Sequence, residues 1–273
     1  MAAEAKGAGD SAFVGSIPEL YDRHLGPMLF EPYARELARR FEGFEGDLLE
    51  TAAGTGRVTR ALAHAACPRA RIVATDLNEP MLARAAEVVR APNVSWRQAD
   101  AQALPFADAS FDAVVCQFGV MFFPDKAAGF AEARRVLRPG GRFVFNVWDD
   151  LEANDVSDVA QATVARLFPD DPPSFFARAP FGYHDKDGIH RALEAAGFAA
   201  VEIETVTLET PTASARDAAA GLCGGTPLRG EIEARRPDGL DDVMAAVADA
   251  LERRFGPGPI RGEGRALVIT ASA

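Results

Sequence analysis

The sequence predicts an α/β fold, a doubly wound and mostly parallel sheet of seven strands with helical insertions. Short apolar runs alternate with helical stretches from Asp47 onward. This spacing is typical of βαβ units, whose parallel strands are joined by right-handed helical crossovers. The chain has 273 residues, enough to bury a sizeable core in one domain that carries insertions.

The elements follow in order from residue 30. Tyr33, Leu37 and Phe41 are four apart and predict a helix over 30–41. The Pro139–Gly141 turn ends one helix and starts the fifth strand, because proline cannot continue a helix and glycine accepts positive φ. The predicted strands lie in DLLETAA, RIVATD, VSWRQAD, FDAVVCQFG, GRFVFNVW, VEIETVTLE and RALVITASA. The predicted helices cover 57–66, 79–90, 126–137, HDKDGIHRALEAAGF and DDVMAAVADALERRF. We expect a helical cap over 1–46 and one domain over 47–273, with lid insertions near 149–182 and 212–258.

The composition and net charge of the chain indicate which classes of partner it can bind. A formal charge of −11 and a pI near 4.9 disfavour nucleic acid and anionic membranes, so a small-molecule partner fits better. No apolar run approaches the ~20 residues of a membrane span, and the first residues lack a signal segment, so we expect a cytoplasmic protein. Cys67, Cys116 and Cys223 lie far apart and predict no metal site, and Cys116, within an apolar strand, is expected to be buried rather than nucleophilic. Homodimer formation stays open.

The segment Leu48 to Arg57, LLETAAGTGR, joins an apolar strand to a helix through small residues. Gly54 and Gly56 let the backbone approach a ligand and adopt conformations that a Cβ would forbid. Thr59 stands where a dinucleotide-binding fingerprint needs its third glycine, which disfavours that class. Glu50, at the strand end, could pair with a ligand's amino group. Taken alone, the segment would by default be interpreted as a tight strand-to-helix turn that binds nothing.

Polar residues also end the next three strands. Asp76 comes 22 residues after Gly54 and could accept hydrogen bonds from both hydroxyls of a ribose, or merely cap a helix. Asn78, by side-chain capping, and Pro80, by its preset φ, are expected to start that helix. Ligands of open α/β sheets bind at the carboxyl edge. The four strand ends there carry Glu50, Asp76, Asp100 and Gln117.

As a set, LLETAAGTG, ATDLNEPML, QADAQALPFADASFDAVV and EARRVLRPGGRFVF resemble the class I, Rossmann-like S-adenosylmethionine-dependent methyltransferases. That family includes the ubiquinone and menaquinone C-methyltransferases. The resemblance covers Leu48 to Trp148 and the flanks only loosely. It implies S-adenosylmethionine as cofactor, with S-adenosylhomocysteine as product, and methyl transfer to O, N or C of a small-molecule acceptor.

The resemblance also assigns roles to residues of this chain. It implies that Asp76 and Leu77 hold the ribose, and that Asp100 and Ala101 contact the adenine. Gln117 would line the pocket near the sulfonium. The methionine moiety would be held by Glu50, Ala52, Ala53, Gly54, Thr55 and Gly56. Ala52 departs from the glycine of many relatives, which is tolerable where its φ is negative.

A sulfonium methyl is already activated, so alignment with the acceptor can supply roughly 7–11 kcal/mol without any fixed base. His24 is the candidate base, with an ordinary surface or helix-packing histidine as the alternative. Tyr21 could shield the sulfonium or bond the carboxylate of the cofactor. Met121 and Phe122, with Phe123, are the expected acceptor-pocket wall, with core packing as the alternative for at least one of them, and Trp148 belongs either to that wall or to the core. Alternative functions are an NAD(P)-dependent oxidoreductase and a non-methylating protein that binds a nucleoside cofactor.

Overall fold

The computed structural model describes residues 20–273, so the first part of the predicted cap lies outside the described residues. A π-helical segment, Tyr21–Phe30, comes first. The strands are β1 (Asp47–Glu50), β2 (Arg71–Asp76), β3 (Val94–Gln98), β4 (Phe111–Gln117), β5 (Leu137–Trp148), β6 (Ala200–Thr212) and β7 (Ile260–Ser272). The helices are α1 (Glu31–Arg39), α2 (Arg57–Ala65), α3 (Glu79–Val88), α4 (Lys126–Val136), α5 (Asp155–Leu167), α6 (Phe175–Arg178), α7 (Lys186–Ala195), α8 (Ala215–Ala219), α9 (Leu228–Arg235) and α10 (Leu240–Phe255).

The seven strands form one sheet in the order β3-β2-β1-β4-β5-β7-β6. The pairs from β3 to β5 are all parallel. β7 runs antiparallel to β5 and β6, since its residue numbers fall as those of its partners rise. Gly140 N donates to Ala273 O, for example, and Asp149 N to Arg265 O. The predicted sheet of seven mostly parallel strands is therefore confirmed.

The described chain divides into two compact units. The sheet unit comprises 33–147, 184–206 and 266–273, and the insertion unit comprises 20–32, 148–183 and 207–265. The predicted boundary at residue 46 and the predicted lids stay predictions.

The core of the sheet unit lies between the strands and helices α1 and α2. Leu48 of β1 and Ile72 of β2 are fully buried against Leu62 of α2. Tyr33, Leu37 and Phe41 are also buried, as their spacing predicted, although α1 ends at Arg39 and Phe41 lies in the turn that follows. Burying each such side chain contributes about 1.5–3 kcal/mol, so β1 is held firmly on both faces.

In the insertion unit, α10 packs against α5 and α8, and the π-helical segment packs against a second one, Ala220–Gly224. Pro27 lies inside the first π-helical segment and has no N–H, so a regular α-helical pattern cannot continue through it. The helical spacing of apolar residues over 30–41 did not predict this π-helical segment. No helix within residues 20–273 is both long and apolar enough to cross a membrane.

Two local expectations need correction. Asn78 is the N-cap of α3, but its side chain makes no capping bond and instead donates to Asp76 Oδ1 at 3.3 Å. β5 starts before the Pro139–Gly141 turn, at Leu137 opposite Phe111, and pairing resumes with Arg142 opposite Ala113. The turn is therefore a bulge within β5, placed where proline has no N–H to donate to a ladder.

Candidate functional site

Glu50 ends β1 as a carboxylate inside the protein, only 1% exposed. Burial raises the pKa of Glu50 to about 8, the nearby Asp76 charge acts in the same direction, and the neighbouring Thr59 opposes it. Its Oε2 atom has no hydrogen-bond partner among residues 20–273. A buried oxygen atom without a hydrogen-bond partner is costly, and a cationic ligand group that paired with the ionised carboxylate would relieve that cost.

The β1–α2 loop, residues 51–56, is tied to the end of β2. Ala53 N donates to Thr75 O at 2.9 Å, and Thr75 Oγ1 donates to Glu50 O at 2.8 Å. Gly54 N donates to Asp76 Oδ2 at 2.8 Å. These bonds fix the loop against the two strand ends, so its backbone is ordered before any ligand binds.

The two glycines of the loop serve different needs. Gly54 has φ +56°, and no atom lies within 4 Å of where a Cβ would stand. A ligand could therefore approach the Gly54 backbone. Gly56 has φ +81°, and a Cβ there would lie 3.0 Å from both Ala85 of α3 and Val89, the residue that follows α3. Gly56 is thus required by packing as well as by conformation.

Ala52 corrects the expectation of a negative φ. Its φ is +53°, in the left-handed region that disfavours side chains with a Cβ. Its methyl group faces Gly119, where an added Cβ would lie 2.6 Å from Ala52 Cβ. The methyl group of Ala52 therefore fits because Gly119 has no side chain. The positive φ of Ala52 still strains the backbone.

Asp76 ends β2 and is 7% exposed. Oδ2 accepts from Gly54 N, and Oδ1 accepts from Asn78 N at 2.8 Å. Oδ2 can accept a further hydrogen bond, whereas Oδ1 also accepts the long 3.3 Å bond from Asn78 Nδ2. The next side chain, Leu77, is 57% exposed, unusual for a large apolar residue. A polar group and an uncovered apolar group thus stand side by side.

Asp100 and Ala101 follow β3, both partly buried. Asp100 Oδ1 accepts from Gln102 N at 2.8 Å and Gln102 Nε2 at 3.2 Å, and Asp100 forms a bridge with Ala103. The side chain is therefore held in a local turn.

Gln117 ends β4, partly buried and opposite Asn146 of β5. Asn146 is fully buried, and its Oδ1 accepts from Phe118 N at 2.9 Å. That bond helps to hold Phe118 at φ +50°. The chain then enters a short 3-10 helix, Val120–Phe122, in which Met121 is buried and Phe122 partly buried.

Three predicted site residues lie in the insertion unit. Tyr21 stacks on Phe30 with ring centroids 4.9 Å apart. Trp148 is 2% exposed and packs against Phe30 and Phe181, with centroids at 6.5 and 6.0 Å. His24 Nδ1 lies 3.3 Å from Asp217 Oδ1. The roles proposed for these residues stay predictions.

Cys116 is buried, as its place in an apolar strand predicted. Burial raises the pKa of the Cys116 thiol to about 11, so it is a poor nucleophile, and none of the three cysteines is in a disulfide. His64 and His190 lie on helices, and Asp185 beside His184 caps α7. Within residues 20–273, no cluster of three or more His, Cys, Asp or Glu side chains could hold a metal ion.

The strand-end residues of the sheet unit suit a nucleoside that carries an ammonium group. Glu50 offers a buried carboxyl group with an unpaired Oε2 atom, the Gly54 backbone can be approached, and Leu77 offers apolar surface. These are the groups that the α-ammonium, methionine chain and adenosine of S-adenosylmethionine need. The residues present therefore fit the implied cofactor.

The sequence did not identify Thr59 as a site residue. It is fully buried beside Glu50, and hydrogen bonding from its hydroxyl and its backbone N–H partly opposes the raised pKa of that carboxyl group. The only sequence signal at this position was a threonine in place of the third glycine of a dinucleotide-binding fingerprint.

Comparison with known proteins agrees with this geometry. A family described as "Methyltransferase domain" matches residues 49–145. A ubiquinone/menaquinone biosynthesis C-methyltransferase from Burkholderia mallei is 35% identical over 167 residues, covering 58% of this chain and 69% of the relative.

Solved structures share the fold. A putative methyltransferase from Bacillus halodurans superposes with a TM-score of 0.56 at 23% identity, over 89% of this chain and 98% of that one. Phosphoethanolamine N-methyltransferase 2 of Haemonchus contortus was solved with phosphomonomethylethanolamine and S-adenosylhomocysteine. It superposes with a TM-score of 0.57 at 16% identity, over 95% of this chain and 60% of that one.

Proposed function

Because the chain belongs to the class I, Rossmann-like S-adenosylmethionine-dependent methyltransferases, we propose that it methylates a carbon, nitrogen or oxygen atom of a small-molecule acceptor. The acidic net charge of −11 supports an acceptor other than nucleic acid. The similar Burkholderia mallei protein is named for C-methylation in quinone biosynthesis, which supports a small organic acceptor.

The observation that carries the site assignment is the buried Oε2 atom of Glu50, which has no hydrogen-bond partner among residues 20–273. We propose that it pairs with the α-ammonium of the methionine moiety, while residues 52–56 line that moiety with backbone. The open approach to the Gly54 backbone supports this part of the proposal. Pairing would ionise Glu50 and recover its cost of burial.

The nucleoside half of the cofactor follows along the sheet edge. We propose that Asp76 accepts hydrogen bonds from the ribose hydroxyls, one at the free lone pair of Oδ2 and one at Oδ1 in place of the 3.3 Å bond from Asn78 Nδ2. Leu77 would cover one face of the adenosine with its exposed side chain. Asp100 would accept from the exocyclic amine of adenine, and Ala101 would contact the ring.

S-adenosylmethionine supplies an activated methyl group on its sulfonium. The chain's own task is to align the acceptor and exclude water, worth roughly 7–11 kcal/mol. We propose that Gln117 lines the pocket near the sulfonium, with Met121 and Phe122 as acceptor wall. Tyr21 is proposed to shield the sulfonium, and Trp148 is proposed to belong to the acceptor pocket.

We propose His24 as the group that takes a proton from the acceptor. It is a histidine held beside a carboxylate, as a general base requires. We also propose a cytoplasmic location, which the three free cysteines support, since disulfides are rare in reducing compartments. A homodimer is a further proposal, tested by light scattering.

Family membership disfavours an NAD(P)-dependent oxidoreductase. A non-methylating protein that binds the same cofactor is the second candidate, and one experiment separates the two. Protein is incubated with methyl-labelled S-adenosylmethionine and a panel of phenols, amines and quinols, and label in product is counted. Label in at least one acceptor is expected. Cofactor binding without transfer to any acceptor would favour the second candidate.

Asp76→Asn tests the ribose assignment, with exposed Asp170→Asn as the matched control. Loss of a charge-assisted acceptor should weaken S-adenosylhomocysteine binding about 10-fold or more. The control should bind as the wild type does. Equal affinity in all three proteins would remove Asp76 from the site.

A further inference from the structure

Gln102 holds one oxygen of the Asp100 carboxylate through two hydrogen bonds. Oδ1 of Asp100 accepts from Gln102 N at 2.8 Å and from Gln102 Nε2 at 3.2 Å. The other oxygen, Oδ2, accepts no hydrogen bond from residues 20–273. Both bonds therefore end on the same atom, and Oδ2 keeps its lone pairs for a ligand.

The side-chain amide of Gln102 is also fixed at its oxygen. Oε1 accepts from Asp125 N at 2.7 Å, and Asp125 is the N-cap of α4, with its own Oδ1 accepting from Ala128 N at 3.0 Å. The opposite orientation of the Gln102 amide would place oxygen against oxygen at Asp100 and N–H against N–H at Asp125. The two partners thus determine the orientation of the amide, which bridges the segment after β3 and the start of α4.

The segment that follows Gln102 is fastened to the same helix. Leu104 N donates to Glu132 Oε2 at 2.6 Å. Arg135 donates to Leu104 O at 3.0 Å and to Phe106 O at 2.7 Å. Arg135 also makes two bonds of 2.7 Å to Glu132. Charge-assisted bonds of this kind are roughly twice as strong as neutral ones, so the segment that carries Gln102 is held against α4.

The Gln102 side chain adds orientation of the carboxylate rather than closure of the turn. Gln102 N and Ala103 N already close the turn over 100–103, the second by donating to Asp100 O at 3.0 Å. The Nε2 bond closes no further turn. It restrains the Asp100 carboxylate, which a single bond would leave free to rotate about that bond. All of these contacts lie within the sheet unit.

We propose that Gln102 is a positioning residue that directs Oδ2 of Asp100 toward the exocyclic amine of the cofactor's adenine and so makes the site selective for purines that carry this amine. The inference rests on the proposed binding of S-adenosylmethionine, in which Asp100 accepts from that amine. A purine without the amine would leave Oδ2 desolvated and unpaired, and a binding site rejects such a ligand.

The size of the effect follows from the cost of ordering a side chain. When Asp100 is already oriented, ligand binding does not have to immobilise it. Ordering one side chain on binding lowers affinity by about 3- to 10-fold. Loss of the Gln102 amide should therefore reduce the advantage of the amine by this factor. A ligand without the amine gains nothing from the orientation of Asp100, so its affinity should change little.

Calorimetric titration with two ligands measures this selectivity without any methyl acceptor. The ligands are S-adenosylhomocysteine and its analogue with hydrogen in place of the exocyclic amine. The wild type should bind S-adenosylhomocysteine about 10- to 100-fold more tightly than the analogue, because the amine bonds to a charged acceptor. Gln102→Met removes both side-chain bonds at similar length, and the ratio of affinities should fall about 3- to 10-fold. Unchanged affinity for the analogue shows that the variant is folded.

Two further variants test whether Gln102 acts through Asp100. In an Asp100→Ala background, Gln102→Met should not change the ratio again, because the two residues act as a unit. Asn93→Leu is the matched control, since it removes an amide at the opposite end of β3 that donates to Ala70 O at 3.1 Å. This control should keep the ratio of the wild type.

The outcomes separate this inference from the proposed function. If the wild type and Gln102→Met show the same ratio, Gln102 does not position Asp100, while the proposed function stands. A further fall of the ratio in the double variant would overturn the inference, because Gln102 would then act on the ligand itself. Equal affinity of the wild type for both ligands would contradict recognition of the amine. If folded wild type binds neither ligand, the proposed function is wrong.

Discussion

Replacing Glu50 by glutamine should reverse the usual effect of losing a site residue and stabilise the cofactor-free protein at alkaline pH. The carboxyl group is 1% exposed, and burial raises its pKa from 4.5 to about 8. A raised pKa in the folded state means that folding retains a proton which the unfolded chain has released. The stability contributed by this group is complete below pH 4.5 and is lost as pH rises toward 8.

The magnitude follows from the two pKa values. One unit is worth about 1.4 kcal/mol, so ionisation of Glu50 can cost the folded protein up to about 5 kcal/mol by pH 8. Glutamine never ionises. Its own buried amide can cost about 1–3 kcal/mol, but that cost is independent of pH. The pH-dependent difference between the two proteins therefore isolates the carboxylate.

The assay is urea unfolding of wild type and Glu50→Gln without cofactor at intervals from pH 5 to pH 8.5. As pH rises across this range, the free energy of unfolding of the variant minus that of the wild type should increase by several kcal/mol. Exposed Glu252→Gln is the control and should track the wild type. Parallel curves for wild type and Glu50→Gln would refute the reasoning.

Three further variants test the loop and the core by urea unfolding. Ala52→Gly should stabilise the protein by about 1 kcal/mol, because it relieves a φ of +53°; a loss of stability would contradict the assigned strain. Gly56→Ala should destabilise by about 1–3 kcal/mol, because its methyl group meets Ala85 and Val89 at 3.0 Å, and unchanged stability would show that α3 can move away. Trp148→Ala should cost about 3–5 kcal/mol, because the ring is 2% exposed, and a cost below 1 kcal/mol would remove it from the core.

Much of the fold could be predicted from local pattern. The segment RIVATD forms β2 with its predicted bounds, because a short apolar run between turn residues indicates a strand whatever segments surround it. The strand-end carboxylates Glu50 and Asp76 also met at one edge, since parallel strands align their carboxyl ends.

The rest depended on contacts between distant residues. No local pattern shows that Glu50 is buried without a partner for Oε2, because its surroundings come from α2 and β2. The positive φ of Ala52 is permitted by Gly119, far along the chain. Asp217 could not be linked to His24 either, since nothing in the two segments indicates that they pack together. The periodicity of apolar residues indicates which face of a helix or strand is buried, but not which residues cover that face.

Calorimetric titration of S-adenosylhomocysteine into the wild-type protein tests the central claim most directly. Run at pH 7 in two buffers with different ionisation heats, it measures both affinity and the protons exchanged. Saturable binding with release of close to one proton is expected, because Glu50 loses its proton when it pairs with the ammonium group, and Glu50→Gln should release none. Absence of binding to folded protein would contradict the assignment of the site.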